Sequence, residues 1–132
     1  MHITVIIPYY NESETILSTL ESLYIQTRKP EKIFLVDSGS TDDTSFKIKN
    51  WIQEKNTTYF EQLYSGKMSP SSSINMAIKK TNDDIIAYID CGLTIPKDWL
   101  KTSEDLMISS GSDIVSSSIF TKGVNLIDKS FI

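Results

Sequence analysis

The sequence predicts an α/β fold in which helices cover both faces of a mainly parallel sheet. Short, β-branched apolar segments alternate along the chain with segments of helical periodicity, and this order of elements produces parallel strands. Several of these segments are continuously apolar, as strands buried on both faces are. At 132 residues the chain is long enough to bury a core, and we assign residues 1–132 to one domain.

The first strand and helix are predicted at the amino terminus. Residues 3–8, ITVIIP, predict the strand, and residues 9–27 turn helical. Asn11 and Glu14, three residues apart, predict a capping box at the start of this helix. Its apolar stripe is formed by Ile16, Leu20 and Leu23.

A second strand, KIFLVD, is predicted at residues 32–37, followed by a turn and a helix within residues 38–55. Ser40 or Thr41 can cap this helix. Its inward-facing residues are Ile48, Trp51 and Ile52. Residues 57–64, TTYFEQLY, predict a third strand.

The remaining elements continue the alternation. After the loop at residues 65–72 comes a short helix, then a fourth strand at residues 84–90. Pro96 suits the first turn of a further helix at residues 96–109, where its missing N–H costs nothing. A last strand is predicted at residues 113–120. The apolar side of the short helix is formed by Ile74, Ala77 and Ile78.

Composition excludes several classes of function. The net charge is −4 and the 13 basic residues are scattered, which argues against a nucleic-acid partner. The sequence has one histidine and one cysteine, so a zinc site and an internal disulfide are excluded. No apolar run approaches the ~20 residues of a membrane span, and the amino terminus lacks the features of a signal peptide. We therefore expect a cytoplasmic location.

The usual phosphate-binding and hydrolase motifs are missing. The sequence has no GxGxxG after the first strand and no GxxxxGK[ST], so neither a classical dinucleotide fold nor a P-loop is supported. Its only histidine, His2, lies next to the terminus, which argues against a Ser-His-Asp triad.

Polar residues that follow the strands are the best site candidates, because ligands of parallel α/β sheets bind outside the carboxyl ends of the strands. Tyrosine rings can stack on a base or a sugar, and carboxylates can accept hydrogen bonds from ribose or base, or hold a divalent cation. This chemistry suits a nucleotide or sugar ligand. The candidates are Tyr9, Tyr10, Glu12, Asp37 and Asp90.

Three sequence blocks resemble the amino-terminal half of family 2 glycosyltransferases. They are VIIPYYNESETILSTLESLYIQT, IFLVDSGSTDDT and INMAIKKTNDDIIAYIDCG, and the resemblance covers about residues 3–110. It implies a GT-A fold, a Rossmann-like three-layer sandwich truncated here after its nucleotide-binding half. It also implies transfer of a sugar, usually with inversion, from a nucleotide-diphosphate donor of the UDP or dTDP type.

The same resemblance assigns roles to residues. Pro8, Tyr10 and Glu12 match the block that lies against the nucleotide. Asp37 matches an acid that contacts base or ribose, and Asp90 matches the first acid of the DXD motif, on the ribose and diphosphate side. The full nucleotide-sugar-binding set that we predict is Pro8, Tyr9, Tyr10, Glu12, Asp37, Ser38, Gly39, Lys67 and Asp90.

Departures from the family pattern open three questions. Ser38 stands where a second Asp is common, which leaves base selectivity open. No basic residue occurs at residues 69–74, so Lys67 is the nearest candidate for a phosphate, its alternative being a solvated loop lysine. Gly92 takes the place of the metal-holding DXD acid, so Mn²⁺ or Mg²⁺ binding at Asp90 should be weak, absent or dependent on the donor phosphate. Asp90 as a simple strand terminator is the alternative.

No residue matches the family's general base, which lies with its acceptor-binding helices. We therefore expect this chain alone to be inactive, a part of a longer enzyme that serves a glycan or lipid-linked acceptor in bacterial surface polysaccharide synthesis, at the inner face of the membrane. Self-association through apolar residues near the carboxyl end is expected: Ile127, Phe131 and Ile132. The alternatives are a non-catalytic interaction module, or remnant, and a nucleotidyltransferase, against which PYYNE after the first strand argues.

Overall fold

The structure, a computed structural model, describes residues 1–116. Four strands form one parallel sheet in the order β3-β2-β1-β4. The strands are β1 (Ile3–Tyr9), β2 (Lys32–Asp37), β3 (Phe60–Tyr64) and β4 (Ile85–Tyr88). The helices are α1 (Ile16–Tyr24), α2 (Thr44–Lys55), α3 (Pro70–Ile78) and α4 (Trp99–Ser110).

Strand β1 is one of the two inner strands of the sheet, and all seven of its residues are buried. It pairs with β2 up to the partners Tyr9 and Asp37, and with β4 up to Ile6 and Tyr88. The chain builds outward from β1 to β2 and β3, then returns to place β4 on the other side of β1. The strand order therefore reverses between β1 and β4, and ligands of such sheets bind at this point.

Apolar residues of the sheet alternate between two cores, as the two-residue period of a strand requires. Ile7 and Leu35 pack with Leu20 of α1 and Ile48 of α2. Their neighbours along the strands point to the opposite face and pack with α3; that second core comprises Ile6, Phe34, Val36 and Ala77. The predicted three layers are present, and every predicted strand through β4 is found.

Gln26, after α1, anchors the segment that leads from β4 into α4. Its side chain is 2% exposed, donates to the carbonyls of Ser22 (3.1 Å) and Pro96 (2.8 Å), and accepts from the Leu100 N–H (3.1 Å). Since every polar atom of a buried amide needs a partner, these bonds hold the segment after Asp90 against α1.

The predicted helix starts were wrong in three places. Asn11 does not cap α1, which begins at Ile16 after Thr15, because the Asn11 side chain bonds to the loop after β2 instead. Helix α2 begins at Thr44 with Asp43, not Ser40 or Thr41, at its N-cap. Pro96 accepts a turn hydrogen bond from Trp99 and precedes α4 rather than lying in its first turn.

The strand predicted at residues 113–120 is not found over 113–116, and its remainder lies outside the described residues. Ile127, Phe131 and Ile132 also lie outside them. Within residues 1–116, no helix has the length and apolar character needed to cross a bilayer.

Candidate functional site

The loops that follow β1, β2 and β4 lie at the carboxyl ends of the parallel strands. The strand order reverses between β1 and β4. The structure brings the predicted residues Tyr9 and Asp37 together, because they are register partners at the ends of β1 and β2. Asp90 follows β4, on the other side of β1. Pro8 is buried within β1. The side chain of Tyr10, directly after β1, is 51% exposed.

The Asp37 carboxylate organises its own loop. Its Oδ1 accepts from the N–H groups of Gly39 (3.0 Å) and Ser40 (2.7 Å), and its Oδ2 accepts from the Ser45 hydroxyl (2.9 Å). A carboxylate oxygen has two acceptor positions, so Oδ1 is filled and Oδ2 keeps one for a further donor. Asp37 can therefore both shape the loop and bind one N–H or O–H of a ligand.

Tyr9 is linked to Asp37 through a hydrogen bond to Ser45. The hydroxyl of Tyr9 bonds to that of Ser45 (2.8 Å), which in turn donates to Asp37. Burial raises the pKa of Tyr9 to about 12, and the nearby Asp37 charge adds to the effect, while the Ser45 hydrogen bond opposes it. Tyr9 therefore stays neutral and acts as a buried support, whereas Tyr10 is the exposed ring.

Asn11 joins the loops after β1 and β2, a role that its sequence context did not reveal. It adopts the left-handed conformation (φ 50°), which asparagine tolerates better than most residues. Its Oδ1 accepts from the N–H groups of Thr41 (2.8 Å) and Asp42 (3.3 Å), and its own N–H donates to Ser40 (3.0 Å). The position of the Tyr10 loop thus depends on the Asp37 loop.

Ser38 faces helix α3 rather than open solvent. Its hydroxyl bonds to that of Ser73 (2.9 Å), which also bonds to Ser65 (2.8 Å) after β3. Ser73 is fully buried, so these bonds satisfy a polar group that has no access to water. Ser73 therefore connects the loops after β2 and β3 to α3 through Ser38 and Ser65.

Lys67 lies against the Asp37 loop. Gly39 has φ 95°, and a Cβ built on it would lie 3.1 Å from Lys67 Cγ and 3.4 Å from Lys67 N. The lysine stem therefore crosses the glycine. Within residues 1–116 the Lys67 ammonium has no hydrogen-bond or ion-pair partner, and it is the one basic residue in the loops after β1, β2 and β3, residues 10–15, 38–43 and 65–69.

The Asp90 carboxylate bonds to Tyr88 and affects the pKa of two neighbours along the chain. Its Oδ1 accepts a hydrogen bond from the Tyr88 hydroxyl. Burial raises the pKa of Tyr88 to about 12, helped by this hydrogen bond and the Asp90 charge. Burial also raises the pKa of Cys91 to about 12, with the Glu12 and Asp90 charges adding to it. The thiol is therefore protonated near neutral pH, and a protonated thiol is a poor nucleophile.

Gly92 has a conformation and surroundings that suit glycine. Its φ is 95°, and a Cβ built on it would lie 3.5 Å from Thr15 Oγ1 and 3.6 Å from Glu12 Oε2. Glu12 Oε2 accepts from the Thr15 hydroxyl (2.9 Å). The space beside position 92 is thus occupied by a carboxylate that comes from the β1–α1 loop.

The side chains present do not form a complete divalent cation site. Asp90 supplies one carboxylate, Gly92 supplies none, and Glu12 is already bonded to Thr15. Among residues 1–116, no three or more His, Cys, Asp or Glu side chains are grouped so that they could hold a metal ion. A hard cation needs about six oxygen ligands, so most would have to come from water or a ligand.

Comparison with known proteins identifies the family. The model of glycosyl transferase family 2 matches residues 4–129. The chain belongs to this family. An uncharacterized glycosyltransferase of Rickettsia bellii is 34% identical over 88 residues, 67% of this chain and 12% of that protein. Poly-beta-1,6-N-acetyl-D-glucosamine synthase of Staphylococcus aureus is 29% identical over 96 residues, 73% of this chain and 23% of the synthase.

Solved structures of glycosyltransferases share the fold. S. aureus TarS 1–349 in complex with UDP has a TM-score of 0.75 and 25% identity, covering 95% of this chain and 38% of that one. Mannosyltransferase PcManGT from Pyrobaculum calidifontis, in complex with GDP-Man and Mn²⁺, has a TM-score of 0.62 and 26% identity, covering 67% and 27%. The predicted GT-A fold and family are therefore confirmed. The chain spans well under half the length of each of these proteins.

Proposed function

We propose that this family 2 glycosyltransferase chain binds the nucleotide-diphosphate sugar donor of an inverting sugar transfer. The donor is of the UDP or dTDP type, and it lies across the carboxyl ends of β2, β1 and β4. The observation that carries the proposal is the register of Tyr9 and Asp37 at the carboxyl ends of β1 and β2, next to the reversal of strand order between β1 and β4, after which Asp90 follows. UDP in the TarS complex supports a uridine nucleotide for a chain of this fold.

The donor-binding residues are those predicted from the sequence. Some contact the donor directly, and others hold the loops in place. Asp37 offers its free Oδ2 position to the base or ribose, and Tyr10 offers an exposed ring. Lys67 faces the phosphates, and Asp90 lies on the diphosphate side. Other members of the set act indirectly, by holding the loops through buried side chains, hydrogen bonds or close backbone packing: Pro8, Tyr9, Glu12, Ser38 and Gly39.

The acceptor is a glycan or a lipid-linked glycan, and the process is bacterial surface polysaccharide synthesis. The similarity to a polysaccharide synthase of S. aureus supports this part of the proposal. The acceptor-binding part and the general base are not assigned to residues of this chain.

A divalent cation binds only together with the donor diphosphate. Asp90 provides one carboxylate, and an Mg²⁺ or Mn²⁺ ion held by one carboxylate completes its shell with phosphate oxygens and water. The structure of a mannosyltransferase in complex with GDP-Man and Mn²⁺ supports this part of the proposal. We expect Mn²⁺ alone to give no calorimetric binding signal with this chain.

Calorimetric titration with UDP, dTDP and GDP, each with Mn²⁺ and with a chelator, tests the proposed function. We expect UDP or dTDP to bind more tightly than GDP, and Mn²⁺ to strengthen the binding of diphosphates only. If none of the three nucleotides binds under either condition, donor binding is wrong and the interaction-module alternative takes its place.

Lys67→Ala should weaken UDP binding about fivefold, and raising the salt concentration should narrow this difference, because an exposed ammonium interacts with phosphate through a screened field. Lys80→Ala is the matched control, since Lys80 is also exposed but lies between α3 and the start of β4, at the amino-terminal end of the strands. Equal UDP affinities for the Lys67 and Lys80 variants in low salt would show that Lys67 is a solvated loop lysine.

A further inference from the structure

Tyr64, the last residue of β3, is an exposed aromatic side chain that the sequence analysis did not single out. Its side chain is 71% exposed, the largest value for an aromatic residue within residues 1–116. Its ring and hydroxyl lie 4.0 Å from a Cβ built on Gly66, and in this part of the chain its hydroxyl has no hydrogen bond. The Tyr64 ring is thus exposed to solvent at the carboxyl end of β3.

The strand register places Tyr64 beside Asp37. The two residues are direct partners at the carboxyl ends of β3 and β2, and neighbouring parallel strands lie about 4.8 Å apart. The Ser65 N–H donates to the Asp37 carbonyl (2.9 Å) just beyond this pair, so the two strand ends stay joined. Tyr64 therefore has a defined distance from the carboxylate that is proposed to bind the donor.

Alternation along β3 places Tyr64 on the same face as that carboxylate. Phe60, four residues earlier, packs against Trp51 of α2 with ring centroids 4.9 Å apart. Gln62, two residues earlier, donates to the Ser45 carbonyl (2.9 Å), and Ser45 is the residue that donates to Asp37. Because side chains alternate with a period of two, Tyr64 lies on the same face of β3 as Phe60 and Gln62, at the carboxyl end of the strand.

We propose that the Tyr64 ring is a stacking platform for the base of the nucleotide donor, an inference that rests on the proposed function. A base bonded to Asp37 Oδ2 lies within reach of a ring one strand away. Stacking covers apolar area on both partners and does not depend on the hydrogen-bonding edge of the base. Tyr64 therefore contributes affinity for any planar base, while Asp37 contributes the choice among bases.

The test is calorimetric titration of the whole chain and its variants with UMP and UDP. Tyr64→Ala should weaken both nucleotides by the same factor, about 5- to 10-fold, the lower part of the range for base stacking because only one ring face is available. Tyr64→Phe should bind within twofold of the parent chain. Tyr64→Leu, which keeps an apolar side chain without a π face, should resemble Tyr64→Ala.

Phe46→Ala is the matched control. Phe46 is 65% exposed and lies between the buried residues Thr44 and Ile48, so it points outward from α2. It should bind both nucleotides as the parent does, and the melting temperatures of all these variants should agree, since each removes an exposed side chain.

Two results would overturn the stacking role of Tyr64 and leave donor binding intact. They are a UMP affinity equal to that of the parent in Tyr64→Ala, or in Tyr64→Leu, provided that Asp37→Ala binds neither nucleotide. Equal weakening by Phe46→Ala would also overturn it, because the effect would not belong to this position. Failure of the parent chain to bind either nucleotide would remove the proposed function itself, and this inference with it.

Discussion

Asp37→Ala is expected to abolish measurable UDP binding and to lower the free energy of unfolding by about 2–3 kcal/mol. The substitution removes the acceptor for the N–H groups of Gly39 and Ser40 and for the Ser45 hydroxyl. Each such bond to a carboxylate contributes about 1 kcal/mol or more, and the unpaired donors add a desolvation cost. Calorimetry with UDP and urea denaturation measure the two effects.

Asp37→Asn separates the two roles of this side chain. The amide oxygen can keep both backbone N–H donors, and the Ser45 hydroxyl can turn to accept from the new NH₂ group, so stability should change by less than about 1 kcal/mol. The free Oδ2 acceptor is replaced by a donor, and UDP affinity should fall about 10- to 100-fold. If Asp37→Asn binds UDP as the parent does, Asp37 only builds the loop, and the donor contacts other groups.

Gly92→Asp, which recreates the usual second acid, is expected to destabilise the chain by about 2–3 kcal/mol and not to create a Mn²⁺ site. A residue with a side chain at φ 95° is strained, at a typical cost of about 1–3 kcal/mol. The new carboxylate would also lie beside Glu12 Oε2, which is 3.6 Å from the Cβ position. Urea denaturation and Mn²⁺ titration without nucleotide check both parts.

Two further variants separate backbone strain from charge repulsion. Gly92→Ala carries only the strain, because its Cβ would meet Thr15 and Glu12 at ordinary contact distances of 3.5 and 3.6 Å. Adding Glu12→Gln to Gly92→Asp should restore the stability that charge repulsion removes. The double variant should therefore match Gly92→Ala in stability. A Gly92→Asp chain as stable as the parent, or one that binds Mn²⁺ alone, would mean that the space beside position 92 is open to a carboxylate.

The elements that set out the fold could be predicted because their signals are local. Strand β1 is apolar except for Thr4, and α2 repeats its apolar residues at Ile48 and Trp51, so each segment reveals its own type of structure and its buried side. The helix starts could not be predicted from the same signals. Capping depends on whether a side chain has a better partner elsewhere, and Asn11 finds its partners in Thr41 and Asp42, about 30 residues away.

By itself the sequence determined the order of strands and helices, the parallel sheet, the family resemblance and the strand-end residues that include Asp37 and Asp90. Only the tertiary structure decided what those residues touch. Glu12 lies beside Gly92, and the Gly92 N–H donates to Thr19, 73 residues away, because β4 returns to pair with β1. Periodicity records which side of an element is buried, whereas contacts between strand ends depend on strand order and register, which distant parts of the chain set together.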